Sequence, residues 1–580
     1  MEKSLLWDDE YLLSLIESMD MSQFTFWNWS ERGNIYINKY ELLRRFLPSI
    51  GFFNLPMDVD KKGCPTFAPV FIRGNRMQEV NGGTIQAIVE RFLELWDIVT
   101  DSNLGDQVVS ALGFSADVFE KKGLATLPKK KGIDVLKDTA TKAYVFFLNG
   151  LIEVTADGVS PLKDYSEIPS DKFIWENRII PNDWVTTTPI HTHFHDFISN
   201  LARNDDGEIC DHNLTRIKLA LGYLSHRFHF ADKRKWVMVV DRHIDPNHSA
   251  ANGGNGKSIL IKSLQSFLNY TEIDGGEFRE SDRFAFSDVS ASTDVVYFDD
   301  ANKNFNLKRL YTKCSGSFEV AVKYKNTFTI PAVDAPKIAF TTNYPLVNDE
   351  YSTVRRTFQV EVSDFYKSKS EQYGLSPADH HGGKLIADVN GGWSNDDWGH
   401  FYQVICECIS LYLKKGLPAQ AEESITFKRN RLCADMPVDN KEEMLDYLHN
   451  LLLDASQTGD EVFAEHFYKQ TRKKFAIPSF EVSNRDLWEL LKKVGNAFRL
   501  LPNHAQNGHL QQARLNVEAR KERWIAAGME DYRDDNGNNP MDDYKYRVLI
   551  FTVTSFQSVE DAFKSSKPNF NQSDDEMTDI

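Results

Sequence analysis

The apolar positions in the middle of the chain form short continuous runs separated by segments with helical periodicity. Three of these runs are Trp236–Asp241, Asp294–Phe298 and Lys337–Phe340. Continuous apolar runs of this length, alternating with helical patterns, are typical of the buried strands of a parallel sheet. From Trp236 to about residue 370 we therefore predict a parallel α/β domain.

The regions on either side of this block have a different pattern. In residues 1–135, Ile85, Ile88, Phe92 and Trp96 share one face of a predicted helix that Thr84 can cap. The dipeptide Asn149-Gly150 separates two runs of β-forming residues and indicates a tight hairpin. We expect further helices over 185–232, a long one over about 395–425, and a mainly helical C-terminal region ending in a strand at 546–554.

Composition narrows the class of protein. Hydrophobic residues make up 41% of the chain and charged residues 26%, and no apolar run approaches the length of about 18 residues that spans a bilayer. We expect a cytoplasmic protein with no membrane role, in the bacterial host cytoplasm if a phage or plasmid encodes it. The net charge of −17 argues against a protein that coats nucleic acid over its whole surface, although it allows a basic channel.

A glycine-rich loop follows the first apolar run. Asn252-Gly-Gly-Asn-Gly-Lys-Ser258 lies between a predicted strand and a predicted helix, as in a phosphate-binding loop. Backbone N–H groups of Asn252, Gly253, Gly254, Asn255 and Gly256 would surround phosphates. Lys257 would neutralise their charge and Ser258 would bind Mg²⁺. Ala251 replaces the first glycine of the usual Gly-x-x-x-x-Gly-Lys-Ser pattern.

Polar residues also end the next two buried strands. Asp299 and Asp300 close the second, which predicts a metal-supporting acid and an acid that polarises the attacking water. Asn343 closes the third and would orient water or contact a terminal phosphate. Arg355 and Arg356 follow, and either could stabilise transition-state charge in a neighbouring subunit, although a surface salt-bridge pair is the plain alternative.

Together, Asn252–Ser258, the Asp299-Asp300 pair and Thr342-Asn-Tyr-Pro345 resemble the three motifs of superfamily 3 helicases. Further segments from about 140 to 425 resemble the helicase part of phage and mobile-element primase-helicases of the poxvirus-like type. The resemblance implies an α/β P-loop NTPase core, AAA+-like, that uses ATP and Mg²⁺. It also implies a homo-oligomeric ring, expected as a hexamer, that moves on single-stranded or forked DNA.

The resemblance implies further features. A hairpin over 320–331 would grip DNA through Lys323, Tyr324 and Lys325, where lysines hold phosphates and the ring stacks on a base. Partners would be replication proteins such as a primase, polymerase or single-strand-binding protein. The expected domains are an N-terminal α+β module (1–135), a hairpin and helical collar (136–232), the ATPase core (233–370), a helical extension (371–427), a winged-helix-like domain (428–560) and a disordered acidic tail (561–580).

Two rival functions stay open. His193-Phe-His195 matches the His-apolar-His pattern of rolling-circle nicking enzymes, with Tyr223 as nucleophile, and a zinc site could draw on Cys210. An ATPase that loads a replication partner without unwinding DNA would carry the same core motifs. Asp58-Val-Asp60 mimics a primase acid pair, but no basic or histidine cluster accompanies it.

Overall fold

The computed structural model divides into two compact units, Met1–Asp241 with Asn252–Glu422, and Arg242–Ala251 with Glu423–Ile580. The boundaries expected at 135, 232 and 370 all fall inside the first unit. The predicted tail, 561–580, lies outside the described residues. The structure describes residues 7–20, 25–59, 65–186, 192–230, 234–243, 254–279, 281–302, 305–323, 327–344, 353, 355–383, 385, 393–418, 424–458, 461–498, 500 and 548–550.

The N-terminal part of the first unit packs helices on one face of a sheet. The strand Lys172–Trp175 inserts between the strands Arg76–Glu79 and Asp134–Val135, so a five-stranded sheet extends across the boundary expected at 135. The elements are α1 (Asp9–Ser18), β1 (Trp27–Trp29), β2 (Ile35–Ile37), a helical segment of Lys39–Glu41, Leu42–Phe46 and Leu47–Ser49, β3 (Phe52–Val59), β4 (Pro65–Arg73), β5 (Arg76–Glu79), α2 (Gly82–Thr100), α3 (Leu104–Gly113), a 3₁₀ turn (Ala116–Phe119), α4 (Lys121–Leu124) and β6 (Asp134–Val135).

The predicted helix with the apolar face is α2. Ile85, Ile88 and Phe92 are fully buried in its core. The prediction that Thr84 caps it was wrong, because the helix begins at Gly82 and the Asn81 side chain accepts the Thr84 N–H at 3.0 Å. Asparagine satisfies a free helical N–H as well as threonine does, so the sequence left the choice between them open.

A second, smaller sheet follows and contains the predicted hairpin. Phe147 pairs with Gly150 across the two-residue loop Leu148-Asn149, so the predicted hairpin is present, but its loop lies one residue earlier than Asn149-Gly150. The strands of this sheet, with β10, which joins the first sheet, are β7 (Lys142–Phe147), β8 (Gly150–Thr155), β9 (Gly158–Val159), β10 (Lys172–Trp175) and β11 (Ile179–Ile180). The order of the smaller sheet is β11-β7-β8-β9.

The predicted parallel sheet is present, with five strands in the order β13-β14-β17-β12-β18. All pairs are parallel, so the carboxyl ends of β12, β14 and β17 lie side by side at one edge. β15 and β16 form a separate antiparallel pair. The strands are β12 (Trp236–Asp241), β13 (Tyr270–Asp274), β14 (Val295–Asp299), β15 (Phe318–Val320), β16 (Phe328–Ile330), β17 (Lys337–Thr342) and β18 (Thr357–Val362).

Helices cover this sheet and share one large apolar core with it. The helix predicted over about 395–425 ends earlier, at Lys415, because Gly416 adopts a positive φ of 65° and Pro418 follows. The helices are α5 (His193–Leu201), α6 (Asp211–Ser225), α7 (Lys257–Lys262, continued by the 3₁₀ turn Ser263–Ser266), a 3₁₀ turn (Leu307–Leu310), α8 (Tyr311–Ser315), α9 (Phe365–Tyr373), α10 (Pro377–His380) and α11 (Asn395–Lys415).

The second unit is mainly helical around its own apolar core, which includes Leu445, Leu448, Trp488 and Leu491. Two short strands pair antiparallel, and the second lies within the predicted strand 546–554. Across the described parts of both units, no helix has the length and apolar character needed to cross a membrane. The elements are α12 (Ile425–Ala434), α13 (Lys441–Thr458), β19 (Glu461–Phe463), α14 (Ala464–Phe475), α15 (Asn484–Ala497) and β20 (Val548–Ile550).

Candidate nucleotide-binding site

The glycine-rich loop enters α7 through a backbone that requires glycine. Gly254 has φ +121° and Gly256 has φ +88°, in the region that residues with a side chain rarely adopt. A Cβ at Gly256 would also lie 2.8 Å from the Phe197 ring on α5. Asn252 and Gly253 lie outside the described residues.

The side chain of Lys257 is nearly buried at the start of α7. Its Nζ donates to Asp241 Oδ2 at 2.5 Å and to Asn343 Oδ1 at 2.7 Å. Only 7% of the Lys257 side chain and 9% of the Asp241 side chain are exposed. The sequence analysis did not single out Asp241, although this acid visibly ends the strand that precedes the glycine-rich loop.

Asn255 ties the loop to two neighbouring elements. Its Nδ2 donates to Asp241 Oδ1 at 2.9 Å and to Asp364 Oδ1 at 3.2 Å, and its Oδ1 accepts the Lys367 N–H at 3.2 Å. The described loop is therefore fixed to the end of β12 and to the beginning of α9. Two carboxylates consequently lie beside the loop that would receive phosphates.

Asp299, at the end of β14, receives four hydrogen bonds. Its Oδ1 accepts from the hydroxyls of Ser258 (2.6 Å), Tyr297 (2.6 Å) and Thr341 (2.9 Å). Its Oδ2 accepts from Lys262 Nζ at 2.8 Å. Burial opposes ionisation, but these four donors outweigh it and lower the pKa of Asp299 to about 2. A fixed carboxylate beside the Ser258 hydroxyl provides oxygen ligands of the kind that Mg²⁺ prefers.

Asp300 has a different environment. Its backbone has φ +51°, and its N–H donates to Thr341 Oγ1 at 3.0 Å. Asn343 Nδ2 donates to Asp300 Oδ1 at 2.9 Å, which links Lys257, Asn343 and Asp300 in one chain of hydrogen bonds. Burial raises the pKa of Asp300; Lys257 opposes this shift and the Asp299 carboxylate adds to it. A carboxylate with a raised pKa is a better proton acceptor.

The two arginines lie apart from these residues. Arg355 is exposed, and the Arg356 guanidinium lies 4.8 Å from the centre of the Tyr311 ring. The Trp236 N–H donates to the Arg356 carbonyl, at the amino end of β12. Five strand steps separate Trp236 from Asp241, so the backbone of Arg356 lies at the opposite end of β12 from the glycine-rich loop, roughly 17 Å along the strand.

The structure describes only part of the predicted DNA-contacting hairpin. β15 and β16 are its two strands, and Lys323 is exposed after the first of them. Tyr324 and Lys325 lie outside the described residues.

The residues of the nicking alternative do not form a site of that kind. His193 and His195 lie on the helix α5, where residues two apart point in different directions. Tyr223 is 4% exposed, and its hydroxyl donates to the Lys235 carbonyl at 3.0 Å and accepts the Lys235 N–H at 3.1 Å. Among the described residues, no three His, Cys, Asp or Glu side chains are grouped as a metal site. The Asp58 side chain and Asp60 are outside the described part.

Comparison with known proteins does not assign this chain to a family. No protein-family model and no curated protein matches the chain. It is similar to an apo structure of the C-terminal region of NrS-1, with 12% identity, a TM-score of 0.36, and 89% of this chain and 99% of that one covered. It is also similar to a structure of NrS-1 residues 305–718, with 12% identity, a TM-score of 0.35, and 89% of this chain and 98% of that one covered. TM-scores this low do not establish a shared fold.

Gly256→Ala tests whether the loop geometry is needed for binding. We expect nucleotide affinity to fall about tenfold, because an alanine in the left-handed region costs about 1–2 kcal/mol and its Cβ would meet the Phe197 ring. Isothermal titration with ADP measures this. Gly374→Ala is the matched control, since Gly374 also has a positive φ (+69°) but no atom within 4 Å of the added Cβ. Equal affinities in the two variants would contradict the prediction.

Proposed function

We propose that this chain is an ATP-dependent DNA helicase of the superfamily 3 type that acts in the replication of a phage, plasmid or other mobile element. The observation that carries the proposal is the grouping of Lys257, Ser258, Asp299, Asp300 and Asn343 at one edge of a parallel sheet. These residues come from three separate motifs, and each has the chemistry that phosphoryl transfer requires at its position.

Each residue has a defined role in this proposal. Lys257 and the loop N–H groups would hold the phosphates, and Ser258 with Asp299 would hold Mg²⁺, which supplies charge neutralisation when bound. Asp300 would accept a proton from the attacking water. Asn343, which donates to Asp300 and accepts from Lys257, would position that water relative to the phosphates.

The distance of the arginines from the loop of their own chain supports the ring proposal. A residue whose backbone lies at the opposite end of β12 from the loop, about 17 Å along the strand, is poorly placed to stabilise charge there, whereas we propose that it reaches the loop of an adjacent subunit. We therefore propose that Arg355 or Arg356 acts on the neighbouring site of a homo-oligomer, a hexamer by resemblance. Lys323, with Tyr324 and Lys325, would contact single-stranded DNA in the channel.

The direct test is ATP hydrolysis by the full chain with and without single-stranded DNA, with Lys257→Ala as the control for contaminating ATPases. We expect DNA to stimulate hydrolysis several-fold, and a forked duplex to be opened only with ATP and Mg²⁺ present. Hydrolysis that is indifferent to DNA and opens no fork would favour a loader. No hydrolysis above the Lys257→Ala background would refute the proposal.

A further inference from the structure

The segment that follows α3 is unusually basic for this chain. Lys121, Lys122, Lys129, Lys130 and Lys131 fall within eleven residues, and all are exposed except Lys130, which is half-buried. The whole protein has 84 acidic and 67 basic residues. Like charges this close together repel one another, and a bound anion relieves that repulsion.

Two acids near this segment are paired with lysines outside it. Asp117 forms an ion pair with Lys39 at 2.6 Å, and Asp134 forms one with Lys172. Across the described part of the chain, no carboxylate lies within ion-pair distance of Lys129, Lys130 or Lys131. These three ammonium groups therefore remain available to an anion from outside the protein.

The backbone holds these lysines in a fixed position. The segment 128–130 runs parallel to the edge strand β3: Asn54 N–H donates to the Pro128 carbonyl at 2.9 Å, and Lys130 N–H donates to the Asn54 carbonyl at 3.0 Å. The buried Asn54 side chain also donates to the Leu124 carbonyl at 2.8 Å. The lysines thus belong to an ordered extension of the sheet.

Aromatic rings lie beneath two of the three ammonium groups. Because side chains alternate along an extended segment, Lys129 and Lys130 point to opposite faces. Lys129 Nζ lies 3.9 Å from the centre of the Phe67 ring, and Lys130 Nζ lies 4.7 Å from that of Phe53. Both rings are partly exposed. Ammonium groups bind phosphates and exposed rings stack on bases, which together suit single-stranded nucleic acid.

We propose that Lys129, Lys130 and Lys131, with Phe53 and Phe67 on the two faces of the sheet beside them, form a binding site in the N-terminal part of the chain for single-stranded nucleic acid that follows this sheet edge. This lysine-aromatic site is distinct from the hairpin β15–β16 and needs no bound nucleotide. It therefore stands or fails independently of the proposed ATP hydrolysis.

The test is binding of fluorescent oligothymidylate to the full chain, measured by anisotropy without nucleotide over a series of salt concentrations. In Lys129→Gln/Lys130→Gln/Lys131→Gln we expect Kd to rise about tenfold and the slope of log K against log salt to shrink by about 2, since each phosphate contact contributes about 0.7. The charge-matched control is Lys414→Gln/Lys415→Gln/Lys473→Gln, which removes three exposed lysines elsewhere. Unchanged thermal midpoints show that both variants fold.

A second variant separates base stacking from charge alone. Phe67→Leu keeps an apolar side chain but removes the ring, and we expect at least about a fivefold rise in Kd for oligothymidylate. Equal Kd values and slopes for the lysine variant and its control would overturn the proposal. The proposal would also be overturned if Phe67→Leu bound oligothymidylate as tightly as the wild type does. It would be overturned as well if binding of a peptide of residues 565–580 depended on these lysines while binding of oligothymidylate did not. DNA binding at this site without ATP hydrolysis would refute only the helicase proposal.

Discussion

Asp300→Asn is expected to lower the rate of ATP hydrolysis by about 10²- to 10⁴-fold while leaving ATP bound. The amide cannot accept the proton of the attacking water, but it keeps an oxygen for the Asn343 Nδ2 donor. Asparagine also tolerates the positive φ of 51° at this position, so the backbone need not change. Single-turnover hydrolysis and ATP titration measure the two effects separately.

Lys257→Ala is the contrasting variant, because it should lose nucleotide affinity together with hydrolysis. In the wild type, hydrolysis should fall as the pH is lowered through the raised pKa of Asp300, since the base must be ionised. That acidic limb should be absent from the residual activity of Asp300→Asn. An Asp300→Asn variant that hydrolyses ATP at the wild-type rate would assign the base to another residue.

Asp241→Asn is expected to destabilise the nucleotide-free protein by about 3–5 kcal/mol, the usual cost of removing one partner of a buried ion pair. The Lys257 ammonium, which is 7% exposed, would then have only neutral amide oxygens, at position 241 and at Asn343, as partners. Phosphates would restore a negative partner for Lys257. We therefore expect ADP with Mg²⁺ to raise the thermal midpoint of the variant more than that of the wild type.

Asp364→Asn provides the control for this experiment. Asp364 accepts from the same Asn255 amide, at 3.2 Å, whereas the Lys257 ammonium donates to Asp241 and Asn343. Its replacement should change the ADP-induced shift little. If ADP stabilises Asp241→Asn and the wild type equally, then Asp241 does not compete with phosphate for Lys257.

Strand ends were readable because buried strands have continuous apolar runs, so the polar residues that close them, Asp299 and Asn343, stood out. The helix cap was misassigned because Asn81 and Thr84 are both good caps. The early end of α11 could have been read from Gly416 and Pro418, which together stop a helix.

The sequence by itself determined the parallel strands, the glycine-rich loop between strand and helix and the acids at the strand ends, because these depend on local periodicity and residue type. Only the tertiary structure decided that Asp241 pairs with Lys257, that Tyr297 and Lys262 hold Asp299, and that β10 completes the N-terminal sheet. Each of these depends on strand order and on side-chain direction across the fold. Hydrophobic patterning along the chain carries no information on which strands become neighbours, so such contacts emerge only when the sheet is assembled.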